Sequence, residues 1–228
     1  MNSKDQNTYD RILQAGVRLF AQKGFAATTT REIVNEAGAS LSSLQQYFGS
    51  KEQIYIDAVQ RSMSRYAARM DEEVQTAERF EALGMLHGTT AWDTLSGLIN
   101  KHCDWVFDKK EAEAINLMNR EMLDPHPRMN VPQESLRVMD TIAKLADAYV
   151  GTKDTIWAKL MAHNITMQLF GIANYPRVVS AVIREDVSEE NVRQNVRLIL
   201  NDFLLTTIRA YLDTRKRDYE PEREEKGL

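Results

Sequence analysis

Apolar residues recur every three or four positions through most of this 228-residue chain, and this spacing limits the possible folds more than any other feature. Near the N-terminus, Tyr9, Ile12, Val17 and Phe20 would lie on one face of a helix. No segment shows a convincing alternation of apolar and polar residues, although the β-branched residues of 177–183 would suit either a strand or a helix. The sequence therefore predicts an all-α protein.

The chain contains only 10 glycines and 5 prolines, and most of the helical patterns end near one of them or near a capping side chain. The predicted helices cover residues 5–22, 31–36, 41–47, 51 to beyond 70, 89–108, 109–123, 133–150, 153–175 and 188–214. We expect three parts: an N-terminal three-helix domain (1–55), a larger helical domain (56–214) and a charged tail that frays (215–228).

Charge is distributed unevenly along the chain, whose net charge is −4. Residues 1–70 carry nine basic and six acidic side chains, whereas residues 71–228 carry twenty basic and twenty-seven acidic ones. The first part can therefore face a polyanion, and the remainder would repel one. A polar N-terminus unlike a secretory signal, a single cysteine (Cys103) and the lack of a long apolar run together predict a cytoplasmic protein.

Two short predicted helices flank the tight link at residues 37–40, and these proportions are typical of a helix-turn-helix. In such a motif the second helix presents its exposed face to the major groove of DNA. Leu44 and Phe48 would face inward. The exposed face would carry Leu41, Ser42, Ser43, Gln45, Gln46 and Tyr47. Any helical protein can contain two short helices about a glycine, so the pair alone does not establish DNA binding.

The ordered motifs of this region resemble those of the TetR family of transcriptional regulators. They are Ile-Leu-Gln-Ala-Gly at 12–16, Leu-Phe-Ala-Gln-Lys-Gly-Phe at 19–25, Thr-Thr at 28–29, Ile-Val at 33–34, Ala-Gly-Ala-Ser at 37–40 and Tyr-Phe-Gly-Ser-Lys-Glu at 47–52. The resemblance covers about residues 9–56 with the family's spacing kept throughout.

The resemblance implies DNA contacts at the positions that match contact positions of relatives. These are Thr29, Arg31, Tyr47 and Lys51, with Arg31 near a phosphate or a guanine edge and Lys51 near a phosphate. Two residues depart from the family pattern, because Ser42 stands where relatives usually have Gly and Gln45 where they usually have Tyr. Whether Gln45 replaces the contact of that tyrosine stays open.

For the rest of the chain, the resemblance implies a helical domain that dimerises through its last two long helices and encloses a small-molecule pocket. The residues support a dimer independently, because the predicted helix 153–175 is apolar nearly all round and would need a partner on its second face. A monomeric core is the alternative. The candidate interface residues are Trp157, Ile165, Leu169, Ile172, Val196, Ile199, Phe203 and Thr207. A symmetric dimer would read a palindromic operator with its two recognition helices roughly 34–36 Å apart.

Residues 118–127 resemble the Arg-Glu-x-x-x-Pro-x-Pro stretch of the CecR-like branch of the family. The pair Arg120 and Glu121 would form either an ion pair at a helix end or a polar anchor for a ligand. An adaptable effector pocket would be lined by Trp92, Trp105, Phe107, Met118, Arg120, Met122, Met161, His163, Met167 and Phe170. Apolar residues at such spacing more often belong to a plain core, which is the alternative for each of them, and the expected effector is bulky and partly apolar or aromatic.

Catalytic and metal-binding patterns are absent from the sequence. His102, Cys103 and Asp104 are adjacent in a predicted helix and point about 100° apart, so they cannot converge on one ion. We find no nucleophile motif, phosphate loop or dinucleotide fingerprint, and we expect no enzyme activity, cofactor or metal. The sequence thus favours a homodimeric repressor that a small molecule releases from its operator. The alternatives are a TetR-shaped protein that chiefly binds a protein partner, and a helical enzyme.

Overall fold

A computed structural model describes residues 3–129 and 133–226, and within these ranges every regular element is helical. The helices are α1 (Ser3–Ala27), α2 (Thr30–Ala37), α3 (Leu41–Phe48), α4 (Lys51–Ala82), α5 (Gly88–Phe107), α6 (Ala112–Leu123), α7 (Gln133–Val150), α8 (Ile156–Asn174), α9 (Pro176–Ile183) and α10 (Glu190–Lys226), with a 3₁₀ turn at Lys109–Glu111. The prediction of an all-α fold is confirmed. Residues 177–183, which the sequence left open between strand and helix, belong to α9.

Helix α10 extends into the charged tail, where the sequence analysis expected fraying after residue 214. Lysine, arginine and glutamate dominate this tail and are good helix formers, so a helix established by the apolar residues upstream continues into it. Ionic contacts of the type that supports a helix are also present near the start of the tail, where Arg209 Nε lies 3.4 Å from Asp213 Oδ1.

The chain divides into two compact units that do not follow the sequence order. Unit 1 contains Met1–Tyr66 and Lys109–Pro132, and unit 2 contains Ala67–Asp108 and Gln133–Leu228. A single N-terminal domain ending at residue 55 was expected instead. The physical reason for the difference is that α6 packs against α1, so a segment distant in sequence belongs to the N-terminal unit. Helix α4 contributes residues to both units.

Unit 1 has a closed apolar core beneath its three N-terminal helices. Ile12 and Phe20 of α1, Ile33 of α2 and Ile54 of α4 have no exposed surface. Helix α1 is interrupted at Gly24, whose φ of 79° and ψ of 173° leave the helical region. A positive φ is readily adopted only by glycine, and the predicted helix over residues 5–22 ends two residues before this point.

Helices α5, α7, α8 and α10 form most of unit 2, in which α7 packs against the other three and α5 also packs against α8 and α10. Its fully buried residues include Leu98 of α5, Leu145 of α7 and Leu169 of α8. The buried carboxylate of Asp147 organises the α7–α8 connection, because it accepts hydrogen bonds from the hydroxyls of Thr152 and Thr155, both at 2.6 Å. Among the described helices, none combines the length and the apolar character that crossing a bilayer would require.

Candidate nucleic-acid interface

The two short helices α2 and α3 are fixed by local capping. The Thr29 side chain accepts a hydrogen bond from the Glu32 amide (3.3 Å), and the Glu32 carboxylate accepts one from the Thr29 amide (2.8 Å). This reciprocal arrangement is a capping box, which fixes the first turn of α2. Gly38 ends α2 in the left-handed conformation, with φ 57°, and Ser40 caps α3 by accepting from the Ser43 amide at 3.0 Å. Local sequence therefore sets where both helices begin and how they are joined.

Helix α3 has one buried face and one exposed polar face. Leu44 and Phe48 are buried as predicted, and the Phe48 ring stacks on Tyr9 with centroids 4.6 Å apart. On the opposite side Leu41 is 48% exposed. Ser42, Gln45 and Gln46 are also exposed, whereas Ser43 and Tyr47 are half-buried. The inner face thus anchors the helix while short polar side chains remain accessible.

Three of the predicted contact residues on α3 also interact within the protein. The Ser42 and Ser43 hydroxyls lie 2.7 and 2.9 Å from the Ser40 hydroxyl. The Tyr47 hydroxyl donates to Asp5 Oδ1 at 3.0 Å. Desolvation and the nearby Asp5 carboxylate raise the pKa of Tyr47 above its ordinary value, so this hydroxyl stays protonated. It remains a donor that is held against α1.

Lys51 is engaged inside unit 1, where the resemblance implied a phosphate contact. Its ammonium donates to the carbonyl oxygens of Phe25 (2.9 Å) and Thr28 (3.0 Å) and lies 4.2 Å from the Phe25 ring centroid. An ammonium has three donors, and two of them are used here by the turn between α1 and α2. In this conformation Lys51 braces that turn.

Arg31 lies exposed in the first turn of α2. Two other basic residues of unit 1 are half-buried and form ion pairs. Arg18 pairs with Glu36 at 3.1 Å, and Lys23 pairs with Glu32. Such ion pairs leave these basic side chains less available to a polyanion than the composition of residues 1–70 suggested. The exposed guanidinium of Arg31 is therefore well suited to approach a phosphate or a base edge.

Sequence analysis did not anticipate the contacts of Arg120 and Glu121. Arg120 donates from Nε to Ala21 O (2.9 Å) and from Nη2 to Gln22 O (3.0 Å). Glu121 accepts from the Tyr55 hydroxyl at 2.8 Å. Both residues thus contact helices of their own unit, and they are not paired with each other among the ion pairs of the described residues. The resemblance to the Arg-Glu-x-x-x-Pro-x-Pro stretch drew attention to these two residues, but it did not indicate which groups they bind.

The predicted effector-pocket residues are divided between the two units. Met118, Arg120 and Met122 belong to unit 1, where Met118 is buried and Met122 is exposed, and the other seven belong to unit 2. Within unit 2, Trp105, Phe107 and Phe170 are buried, and the rings of Trp105 and Phe170 are 5.7 Å apart. Trp92, Met161 and Met167 are half-buried, and His163 is exposed.

The predicted dimer residues differ in their exposure within unit 2. Ile165 and Leu169 are buried within unit 2. Ile199 and Phe203 are 68% and 61% exposed, and Thr207 is exposed as well. Trp157, Ile172 and Val196 are half-buried. A groove of about 580 Å³ between α8 and α10 is lined in part by Trp157, Phe203 and Thr207. The sequence analysis did not include the exposed Ile156 and Leu160 of α8 in this set.

Two chemically distinctive groups of unit 2 lie in its core. Burial lowers the pKa of His102 to about 4, which keeps this imidazole neutral near pH 7. Burial raises the pKa of the Cys103 thiol to about 12, so its reactive thiolate is scarce. Among residues 3–129 and 133–226 we find no cluster of three His, Cys, Asp or Glu side chains arranged to hold a metal ion.

Comparison with known proteins finds relatives of the N-terminal part of the sequence. Residues 12–58 match the sequence model of "Bacterial regulatory proteins, tetR family". The HTH-type transcriptional repressor KstR2 of Mycolicibacterium smegmatis is 26% identical over 118 residues, which are 50% of this chain and 54% of that protein. The HTH-type transcriptional dual regulator CecR of Shigella flexneri is 30% identical over 82 residues, 36% of either chain. The chain therefore spans about half or less of the length of these curated relatives.

A solved structure extends the likeness of fold beyond the N-terminal helices. The crystal structure of the transcriptional regulator FadR from Bacillus subtilis in complex with stearoyl-CoA covers 88% of this chain and 97% of its own, with 17% identity and a TM-score of 0.54. The match over residues 12–58 coincides with the capped α2–α3 pair and its supporting helices. The similarity in sequence to the tetR family of bacterial regulatory proteins is thus shown for residues 12–58, the region that contains the α2–α3 pair.

Proposed function

We propose that the chain is a homodimeric, ligand-responsive transcriptional repressor that reads double-stranded DNA with α3. The observation that carries this proposal is the division of α3 into a buried face, with Leu44 and Phe48, and an exposed face, with Gln45 and Gln46. The major groove of B-DNA, about 12 Å wide, admits one helix of this kind. A surface of short polar side chains on a firmly anchored helix suits the reading of base edges.

The exposed side chains offer a specific set of contacts to DNA. A glutamine amide can bond adenine in bidentate fashion, a serine hydroxyl can bond several bases, and the apolar side chain of Leu41 can contact a thymine methyl group. Arg31, exposed at the start of α2, supplies the charged contact to a phosphate or a guanine. The proposed reading surface consists of Thr29, Arg31, Leu41, Ser42, Ser43, Gln45, Gln46 and Tyr47.

Exposed apolar residues on α8 and α10 support the homodimer. Ile156 and Leu160 are 76% and 61% exposed, and Ile199 and Phe203 are similarly accessible. Large apolar side chains clustered along two helices are typical of a surface that another protein covers. A second copy of the chain satisfies both faces by symmetry, and a two-fold dimer would present two copies of α3 to a palindromic operator.

An apolar effector is consistent with the core of unit 2, where Trp105 and Phe170 pack beside the neutral His102. The similar fold of FadR, solved with stearoyl-CoA, makes an acyl thioester of coenzyme A a suitable first probe. Helix α4 begins three residues after the end of α3 and contains residues of both units, so a displacement of α4 would move α3. A hundredfold fall in operator affinity would require about 2.7 kcal/mol of coupling.

Regulation of transcription requires no catalysis, and we assign the chain neither an enzymatic activity nor a cofactor. A repressor of this kind would act in the bacterial cytoplasm, where its operator lies.

Selection of DNA from a random pool by the purified full chain tests the proposed function. We expect enrichment of a palindrome whose half-sites are centred about one helical turn, 10–10.5 base pairs, or a multiple of it apart. Repeating the selected-site binding assay with stearoyl-CoA tests release by this probe. The doubly substituted variant Gln45→Glu/Gln46→Glu is the control, because it keeps the buried face of α3 and repels DNA. Failure of the wild-type chain to enrich any sequence would contradict the proposal.

A further inference from the structure

The end of α1 is completed by a side chain from a distant part of the sequence. Helix α1 breaks at Gly24, and carbonyl groups at the end of a helix lack partners within it. Arg120 of α6 supplies donors to two such carbonyls, those of Ala21 (2.9 Å) and Gln22 (3.0 Å). Hydrogen bonds from a charged donor are stronger than neutral ones, and the planar guanidinium fixes their direction. Arg120 thereby holds two carbonyl groups of the turn that precedes the break in α1.

The adjacent residue holds the beginning of α4 in the same way. Glu121 is a buried carboxylate that accepts from the Tyr55 hydroxyl (2.8 Å) and from the His126 amide (2.9 Å). Burial and the neighbouring carboxylate raise the pKa of Tyr55, which stays protonated as the donor of this bond. One dipeptide of α6 therefore contacts both α1 and α4.

The loop after α6 adds contacts to the same two places. The His126 ring lies 5.4 Å from the Phe25 ring and 5.7 Å from the Tyr55 ring. Glu52, in the first turn of α4, lies 3.3 Å from His126 Nε2 and 2.7 Å from Arg128 Nη1. Residues 120–128 thus hold the positions where the chain enters and leaves the α2–α3 pair.

From these contacts we propose that Arg120 and Glu121 are positioning residues for DNA recognition, which act through α1 and α4 to set the orientation of α3. This inference rests on the proposed function, since it concerns how the same surface is held. A purely structural role would affect only how much of the protein is folded. A positioning role also changes how tightly the folded protein binds its operator.

The variant Arg120→Gln removes the charged donor of the two carbonyl bonds, and Arg65→Gln is its matched control. Arg65 forms an exposed ion pair with Glu111 (2.7 Å), also in unit 1, but this pair does not involve the end of α1. We expect Arg120→Gln to weaken operator binding about tenfold, the size expected when a charge-assisted hydrogen bond is lost. The control should bind like the wild type, and Arg120→Lys should recover part of the loss.

Two further measurements distinguish positioning from a loss of folded protein. Stoichiometric titration with operator gives the active fraction, and hydrogen exchange reports the backbone of residues 21–29. We expect a full active fraction with a weaker Kd, and faster exchange at 21–29 while 30–48 keep their protection. The milder variant Tyr55→Phe keeps its ring and loses only the hydroxyl bonded to Glu121, and we expect it to fold and to bind operator about threefold more weakly.

The inference is overturned if the folded fraction of Arg120→Gln and of Tyr55→Phe binds operator with the wild-type Kd, whatever their thermal stability. This result differs from failure of the proposed function, in which the wild-type chain itself selects no DNA sequence.

Discussion

Helix α3 in unit 1 and helices α8 and α10 in unit 2 all expose side chains, but the exposed chemistry differs. The accessible residues of α3 are mostly hydroxyl and amide side chains such as Ser42 and Gln46, whereas those of α8 and α10 include Leu160 and Phe203. Hydroxyl and amide groups can form hydrogen bonds with the polar edges of DNA bases, whereas apolar side chains stabilise a complex by becoming buried against a protein partner. Exposure alone therefore does not identify a binding surface, and its chemistry indicates the class of partner.

A charge in the apolar surface should produce the largest effect. We expect Phe203→Glu to raise the dimer dissociation constant at least about 100-fold, because a carboxylate buried without a partner is costly. Sedimentation equilibrium measures this change, and weaker operator binding should accompany it. Gln60→Glu places the same charge at an exposed polar position of α4, outside the α8 and α10 surface, and should leave the dimer intact. If the Phe203→Glu protein sediments as the wild-type dimer does, the apolar surface of α8 and α10 is not the dimer interface.

Truncation of the polar surface should produce an intermediate effect that is confined to DNA. For Gln45→Ala or Gln46→Ala we expect about a tenfold loss of operator affinity, within the range of about 1–3 kcal/mol for a bidentate base contact. Shift assays on the selected operator measure it, and sedimentation should show an unchanged dimer. Asn35→Ala on α2 is the control. Equal affinity for all three variants would place the reading surface elsewhere.

Thr29 tests where the reading surface ends, because this residue was predicted to contact DNA and is the cap of α2. Removing such a cap costs about 1 kcal/mol of stability. We therefore expect Thr29→Ala to lower the melting temperature more than the neighbouring Thr30→Ala does. If Thr29 serves both roles, the folded variant also binds operator more weakly. Thermal denaturation and shift assays on the same preparations separate the two effects.

The smallest expected effect is a pH dependence at the same cap. Hydrogen bonds from Lys23 and Thr29 lower the pKa of Glu32 from 4.5 to about 2. A carboxyl group whose pKa is lowered in the folded state stabilises the fold above its unfolded pKa, and this contribution is lost as the pH falls toward the folded value. The stability difference between wild type and Glu32→Gln should therefore shrink from pH 5 to pH 2. Urea denaturation across this range measures it, and a constant difference would argue against the low pKa.

Local signals explain why the α2–α3 pair was predictable from the sequence. The caps at Thr29 and Ser40 and the left-handed Gly38 all act within four residues of where they stand in the chain. Periodicity then assigned Leu44 and Phe48 to the inner face, and the structure agrees. Such features depend on neighbours in sequence, which a single chain already shows.

Features that depend on distant neighbours were not predictable. Nothing near Arg120 in the sequence indicates that its partners are the carbonyls of Ala21 and Gln22. Likewise, α8 is apolar nearly all round, so periodicity could not show that Leu169 faces the core while Leu160 faces outward. The family resemblance assigned Lys51 to a phosphate contact. Its hydrogen bonds to the Phe25 and Thr28 carbonyls join residues more than 20 positions apart, so only the three-dimensional structure shows them.

The two-part composition of unit 1 has a consequence for protein synthesis and for engineering. Residues 1–66 leave the ribosome well before residues 109–132, so the nascent chain exposes α1 without the arginine that completes its end. A chimaera that joins only the first 66 residues to a foreign sensor would permanently carry the same deficiency. Transferring unit 1 to another ligand-binding domain therefore requires both of its segments, residues 1–66 and residues 109–132.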